Sequence, residues 1–180
     1  MYQDSFVPTL ETDRLILRGH HLDDFQSCAD MWSDPLVTAH ISGSPSTKEQ
    51  SWSRFLRYSG HWQNMGFGYW VVQKKSNNMF IGEVGFADYK RDTTPSIDGI
   101  PEAGWVLISS AHGHGYASEA VAVMHKWADS ELSSLKTVCI FDPAHSGSIK
   151  VAKKIGYANA LLGSYMGRET LFMERFRCQA

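Results

Sequence analysis

The chain has 180 residues, 43% hydrophobic and 20% charged, with a formal net charge of −2, which fits one globular domain spanning 1–180 rather than a disordered or fibrous chain. That charge, with a pI near 6.4, leaves no basic footprint for nucleic acid, and Cys28, Cys139 and Cys178 are odd in number and too scattered for a disulfide framework or a zinc site. No apolar run reaches the length of a membrane span, and Met1-Tyr2-Gln3-Asp4 lacks a signal-peptide pattern, so a cytoplasmic protein with no membrane partner is expected.

In chain order, Leu15–Ile16–Leu17 reads as a short strand between two arginines. Asp23–Asp24 opens a helix with Phe25, Cys28, Ala29 and Trp32 on one face, ending before Pro35. Thr47 and Gln50 form a capping box for the next helix, whose apolar side is Trp52, Phe55, Leu56 and Trp62. Tyr69–Val72 and Met79–Phe86 make a hairpin, and Asp92–Pro101 a polar loop. Ala103–Ile108 is a buried strand, and Ala117, Ala120, Val121, Met124, Trp127 and Ala128 recur at helical spacing after it. Thr137–Phe141 is a further strand, ended by Asp142–Pro143. A short helix then runs from Ser146 to Ile155 and stops at Gly156. Tyr157–Tyr165 and Thr170–Arg177 close the chain as an antiparallel pair around Met166–Gly167–Arg168. The order describes one mixed sheet covered by helices, an α+β or α/β sandwich.

The informative stretch is His112-Gly113-His114-Gly115-Tyr116-Ala117, where a strand hands over to a helix through two glycines. Glycine permits positive φ and close approach. The first turn of a helix carries unpaired N–H groups and the positive end of the dipole. Together they make a site for phosphate or diphosphate. A P-loop would need Lys-Ser/Thr where Tyr116-Ala117 stands, and a dinucleotide fingerprint would need a third small position where Ser118 stands. His112 and His114 lack a visible third ligand for a metal, and a partly protonated histidine beside a diphosphate is sensible electrostatics.

Trp105 to Tyr157 resembles the Gcn5-related N-acetyltransferases, whose acetyl-CoA loop reads Q/R-x-x-G-x-G/A; His112 here replaces the Gln/Arg. Within that superfamily the chain resembles the RimJ/RimL branch of ribosomal-protein-alanine acetyltransferases. The matching segments are Glu11 to Arg18, Ser33-Asp34-Pro35-Leu36-Val37, Glu102-Ala103-Gly104-Trp105-Val106-Leu107, Gly115-Tyr116-Ala117-Ser118-Glu119-Ala120 and Ser148 to Tyr157. The resemblance implies a single, mostly antiparallel sheet of about six to seven strands, splayed between the family's fourth and fifth, with about four helices. It implies acetyl-CoA as co-substrate, no metal, and direct transfer to a primary amine on a protein N-terminus or a small molecule. A monomer or homodimer is expected; a non-catalytic acyl-CoA-binding module of the same fold is the alternative.

The resemblance also assigns roles. Gly113, His114, Gly115, Tyr116 and Ala117, with His112, hold the diphosphate. Leu107, Ile108 and Ser109 pair with pantetheine. Ser148 serves the leaving thiolate, since the tyrosine of many relatives is Ala152 here. His145 stands where relatives carry an asparagine that contacts pantetheine. Glu102 is the first candidate for the base, through a water, and Glu83 the second. Lys150, Lys153 and Lys154 either reach a ribose phosphate or form a solvated face. Trp32, Tyr58, Trp62, Phe67 and Tyr69 are mostly core, with some facing the acceptor.

Overall fold

The computed structural model describes residues 7–177; Cys178 and the Met1–Asp4 start lie outside them. Nine strands form one sheet in the order β1-β2-β3-β4-β6-β7-β9-β8-β5. The strands are β1 (Leu10–Glu11), β2 (Leu15–Arg18), β3 (Tyr69–Lys74), β4 (Phe80–Ala87), β5 (Thr93–Thr94), β6 (Glu102–Leu107), β7 (Lys136–Phe141), β8 (Ala158–Tyr165) and β9 (Arg168–Phe176). The helices are α1 (Phe25–Ser33), α2 (Pro35–Thr38), α3 (Lys48–Met65), α4 (Tyr116–Glu131) and α5 (Ser146–Ile155). The expectation of six to seven strands and four helices is therefore corrected. β1 and β5 have two residues each, too short for any periodicity. α2 begins at Pro35, which occupies its first turn while Asp34 accepts from Leu36 N–H. The proline ends one helix and starts another.

Alternation along the strands sorts two layers. Trp70, Val72, Val84, Phe86, Ala103 and Leu107 pack with Ala120, Val121 and Met124 of α4 in the main core. Val106, one residue out of phase, faces Met31 and Trp32 of α1 and Val37 of α2. The Thr47–Gln50 capping box forms as expected and starts α3. Gly104 has a packing reason: a Cβ there would fall on the Tyr69 hydroxyl.

Every neighbouring pair in the sheet is antiparallel except β6 and β7. Those two run parallel and share a single registered pair, Glu102↔Val138. The strands thus join at their start and part toward their carboxyl ends. Open α/β sheets hold ligands where strands part in this way.

Candidate active site

At the open end of the split, β6 runs into a 3-10 turn, Ser109–Ala111, and then into the glycine loop. Gly113 and Gly115 have φ of 77° and 79°, a region that other residues enter at a cost. Gly115 is the N-cap of α4 and brings no side-chain cap. Among the described residues, no acceptor takes the N–H of residues 113–118. Six donors at the positive end of a 16-residue helix therefore face outward, an anion cradle made of main chain.

The cradle is clamped from the turn between β1 and β2. Thr12 Oγ1 donates to Glu119 Oε1, and Arg14 donates through Nε to Glu119 Oε2 at 2.7 Å. Arg14 Nη1 also donates to the His114 carbonyl at 3.1 Å, within the loop itself. The Arg14 guanidinium and the Lys74 ammonium both lie over the Tyr116 ring, at 4.5 and 5.1 Å. In the sequence Arg14 and Glu119 stand 105 residues apart as separate motif letters, and no local pattern marks Lys74. Burial would raise the Glu119 pKa, but Thr12 and Arg14 overrule it and hold the carboxyl below its ordinary value.

The backbone of β6 is oriented for a partner in the split. Leu107 pairs with Gly82, and the Ile108 N–H bonds the Ile81 carbonyl at 3.0 Å. Leu107 is thus in a non-hydrogen-bonded pair with β4, so its own N–H and C=O turn toward β7. His112 Nε2 donates to that carbonyl at 2.9 Å. Ser109 O accepts from His112 N–H and Ile108 O from Ala111 N–H. The two loop histidines do not converge, for His114 Nδ1 turns to the His112 carbonyl at 2.7 Å.

Across the split, His145 is the N-cap of α5. Its Nε2 is 3.4 Å from Ser148 Oγ. His40, from the turn after α2, stacks on the His145 ring at 4.9 Å and 15°. His40 Nδ1 also meets Asp142 Oδ2 at 3.2 Å. Burial lowers the His145 pKa below the ordinary histidine value; the nearby His40 lowers it further, Asp142 opposes, and His112 adds to the lowering. Ala152, the position at which the resemblance leads one to expect a tyrosine, is fully buried. Lys150, Lys153 and Lys154 are exposed.

The two carboxylates are placed differently. Glu102 stands at the closed end of the split, about 16 Å of extended strand from Leu107. Its oxygens are taken by Arg91, from Nε at 2.7 Å and Nη2 at 3.0 Å, while Arg91 Nη1 holds Tyr165 OH. To act as a base Glu102 would first have to give up that pair. Glu83 is nearer the open end, paired with Val106, but is 0% exposed. His20 Nε2 meets Glu83 Oε1 at 3.0 Å, and Trp32 Nε1 and Tyr58 OH donate to Oε2 at 2.9 and 3.0 Å. Burial would raise its pKa, yet these partners, His20 foremost, hold it below the ordinary value. The structure therefore brings together the glycine cradle, Leu107–Ser109, His112, His145 and Ser148, and leaves Glu102 and Glu83 in closed networks. Trp32, Tyr58, Trp62 and Tyr69 are buried.

Comparison with known proteins identifies the family. Residues 14–158 match the acetyltransferase (GNAT) domain. The YkkB protein of Bacillus subtilis is 26% identical over 149 residues, covering 82% of this chain and 83% of that one. An acetyltransferase from Agrobacterium tumefaciens superposes with a TM-score of 0.79 at 26% identity, covering 97% of this chain and 96% of that one. At 12% identity, likeness to two further structures shows the fold. These are the ribosomal L7/L12 α-N-protein acetyltransferase RimL in complex with coenzyme A (TM-score 0.74, covering 94% and 98%) and the Vibrio cholerae spermidine N-acetyltransferase in complex with CoA and spermine (TM-score 0.71, covering 92% and 97%). With the family matched over most of its length, the chain belongs to the GNAT acetyltransferases and is an acyltransferase of that fold.

Proposed function

We propose that this enzyme transfers the acetyl group of acetyl-CoA to a primary amine, on a protein N-terminus or a small molecule, by direct attack with both substrates bound. The observation that carries this reading is the row of outward N–H groups at 113–118, beside a strand end whose Leu107 backbone faces the split. Gly113 to Ala117 bind the diphosphate, with Arg14 and Lys74 adding positive charge nearby. Leu107 offers its N–H to the pantetheine arm, and its carbonyl has a lone pair to spare beside His112. The thioester supplies an activated acyl carbon. Ser148, in the first turn of α5, gives a proton to the leaving sulfur.

That neighbours with this fold are described with CoA supports the co-substrate, and that one of them holds spermine supports an amine acceptor. The test is calorimetric titration with CoA and acetyl-CoA, followed by thiol release with a panel of amines. Binding is expected, and no heat at millimolar ligand overturns the reading. Gly115→Val places a branched side chain at φ 79°, so its affinity for CoA is expected to fall by about 100-fold or more, as a cost of ~3 kcal/mol implies. Ser148→Ala is expected to lower kcat by about tenfold to 100-fold while CoA affinity holds.

A further inference from the structure

We propose that His145 and Ser148 act as one proton relay, in which Ser148 passes the proton of the attacking amine to His145 Nε2 and then returns one to the departing sulfur, with His40 and Asp142 as positioning residues. This rests on the acetyl-transfer reading above and names the base that the reading lacks. Glu102 is consumed by Arg91, and Glu83 is sealed under His20, Trp32 and Tyr58. Ala152 offers no acid. His145 is a ring at the open end with one nitrogen 3.4 Å from a hydroxyl that faces the same space. Such contacts are often long before substrate binds and shorten in the loaded site.

The step balances. As the nitrogen–carbon bond forms, nitrogen gives its proton to Ser148 Oγ and the hydroxyl's own proton moves to His145 Nε2. As the carbon–sulfur bond breaks, Ser148 gives a proton to sulfur and recovers one from Nε2. One proton has moved from nitrogen to sulfur, and both side chains end as they began.

The surroundings suit a ring that must start neutral. The titratable groups facing it are His40 from the turn after α2, Asp142 from the turn after β7, and His112 from the turn after β6. Two stacked imidazoles resist sharing two positive charges. Asp142 sits against His40 Nδ1, which holds the His40 ring stacked over His145. His40 and Asp142 are 102 residues apart in sequence, so the same contact ties the α2 side of the split to the α5 side and fixes the ring plane of His145.

The test combines NMR of the histidine rings in the free protein with kcat and kcat/KM as functions of pH. Wild type is expected to show His145 titrating below 6.5, and an ascending limb of kcat/KM with the same midpoint. His145→Asn keeps a hydrogen-bonding side chain at that position but carries no proton. It is expected to lose about 100-fold in kcat and the limb with it. Calorimetric affinity for CoA should stay within about threefold. His40→Phe keeps a stacked ring without a charge. His145 is then expected to titrate at higher pH by NMR, and the limb to follow. If His145→Asn keeps kcat within about twofold or retains the limb, or if His145 titrates at or above 6.5, the relay is overturned and acetyl transfer stands. If wild type neither binds CoA nor releases thiol, the reading beneath it has failed.

Discussion

His125 and His145 are both kept neutral by burial, in different surroundings. His125 lies in the middle of α4, where Nδ1 donates to the Val121 carbonyl at 2.8 Å and Nε2 accepts from Tyr157 OH at 2.9 Å. Tyr157 in turn accepts from Thr137 Oγ1 at 2.6 Å. One ring thus joins α4, the exit of α5 and β7, with each nitrogen spent. His145 spends no nitrogen on a carbonyl; its free edge looks at Ser148 and its face at His40. The contrast teaches that a depressed pKa alone does not mark chemistry. What marks it is a nitrogen whose one contact is a hydroxyl beside a split in the sheet.

The comparison can be sharpened by stability measurements. Burial pushes the His125 pKa down to about 4; the Val121 carbonyl opposes this, and Arg175 adds to it. The unfolded chain therefore takes up its proton first as pH falls. Stability is expected to be level above pH ~6.5 and to drop by roughly 3 kcal/mol as pH goes down to about 4. Urea unfolding at a series of pH values reads this, and His125→Gln is expected to be less stable at neutral pH but to show a shallower acid slope. An unchanged slope would break the comparison, and so would a change in the pH profile of kcat in that variant. Next in size, Tyr157→Phe strands His125 Nε2 and Thr137 Oγ1 in the core and is expected to cost about 1–3 kcal/mol. Thr137→Val removes a single donor, leaves the Tyr157–His125 bond in place, and is expected to cost about 0.5–1.5 kcal/mol. Both should leave turnover of the folded enzyme unchanged.

Much of the frame is legible in the residues themselves. α5 runs from Ser146 to Ile155 as its apolar spacing and Gly156 imply, and Thr47 with Gln50 caps α3. Such signals are local: a period, a cap, a breaker. The glycine cradle is local too, since two left-handed residues and a helix start occupy six consecutive positions. The chemistry around it is not local. Arg91 reaches Glu102 around a loop, His40 reaches Asp142 over 102 residues, and Arg14 reaches Glu119 over 105. Nothing in a one-dimensional pattern says which of several carboxylates an arginine will take, because the choice is made by how the sheet brings strands side by side. This is why Glu102, attractive at the head of a strand, turns out to be paired, and why His145 reads in sequence only as a substitution for asparagine.

The clamp of Thr12 and Arg14 on Glu119 has a consequence for how fast and how selectively the cradle fills. Because the loop is tethered to an edge of the sheet through two side chains and a carbonyl, its ordering is completed during folding. An arriving diphosphate finds a preorganised mould and gives up little conformational entropy to shape it. Capture should then be governed by electrostatic encounter, fast in dilute buffer and slowed by added salt.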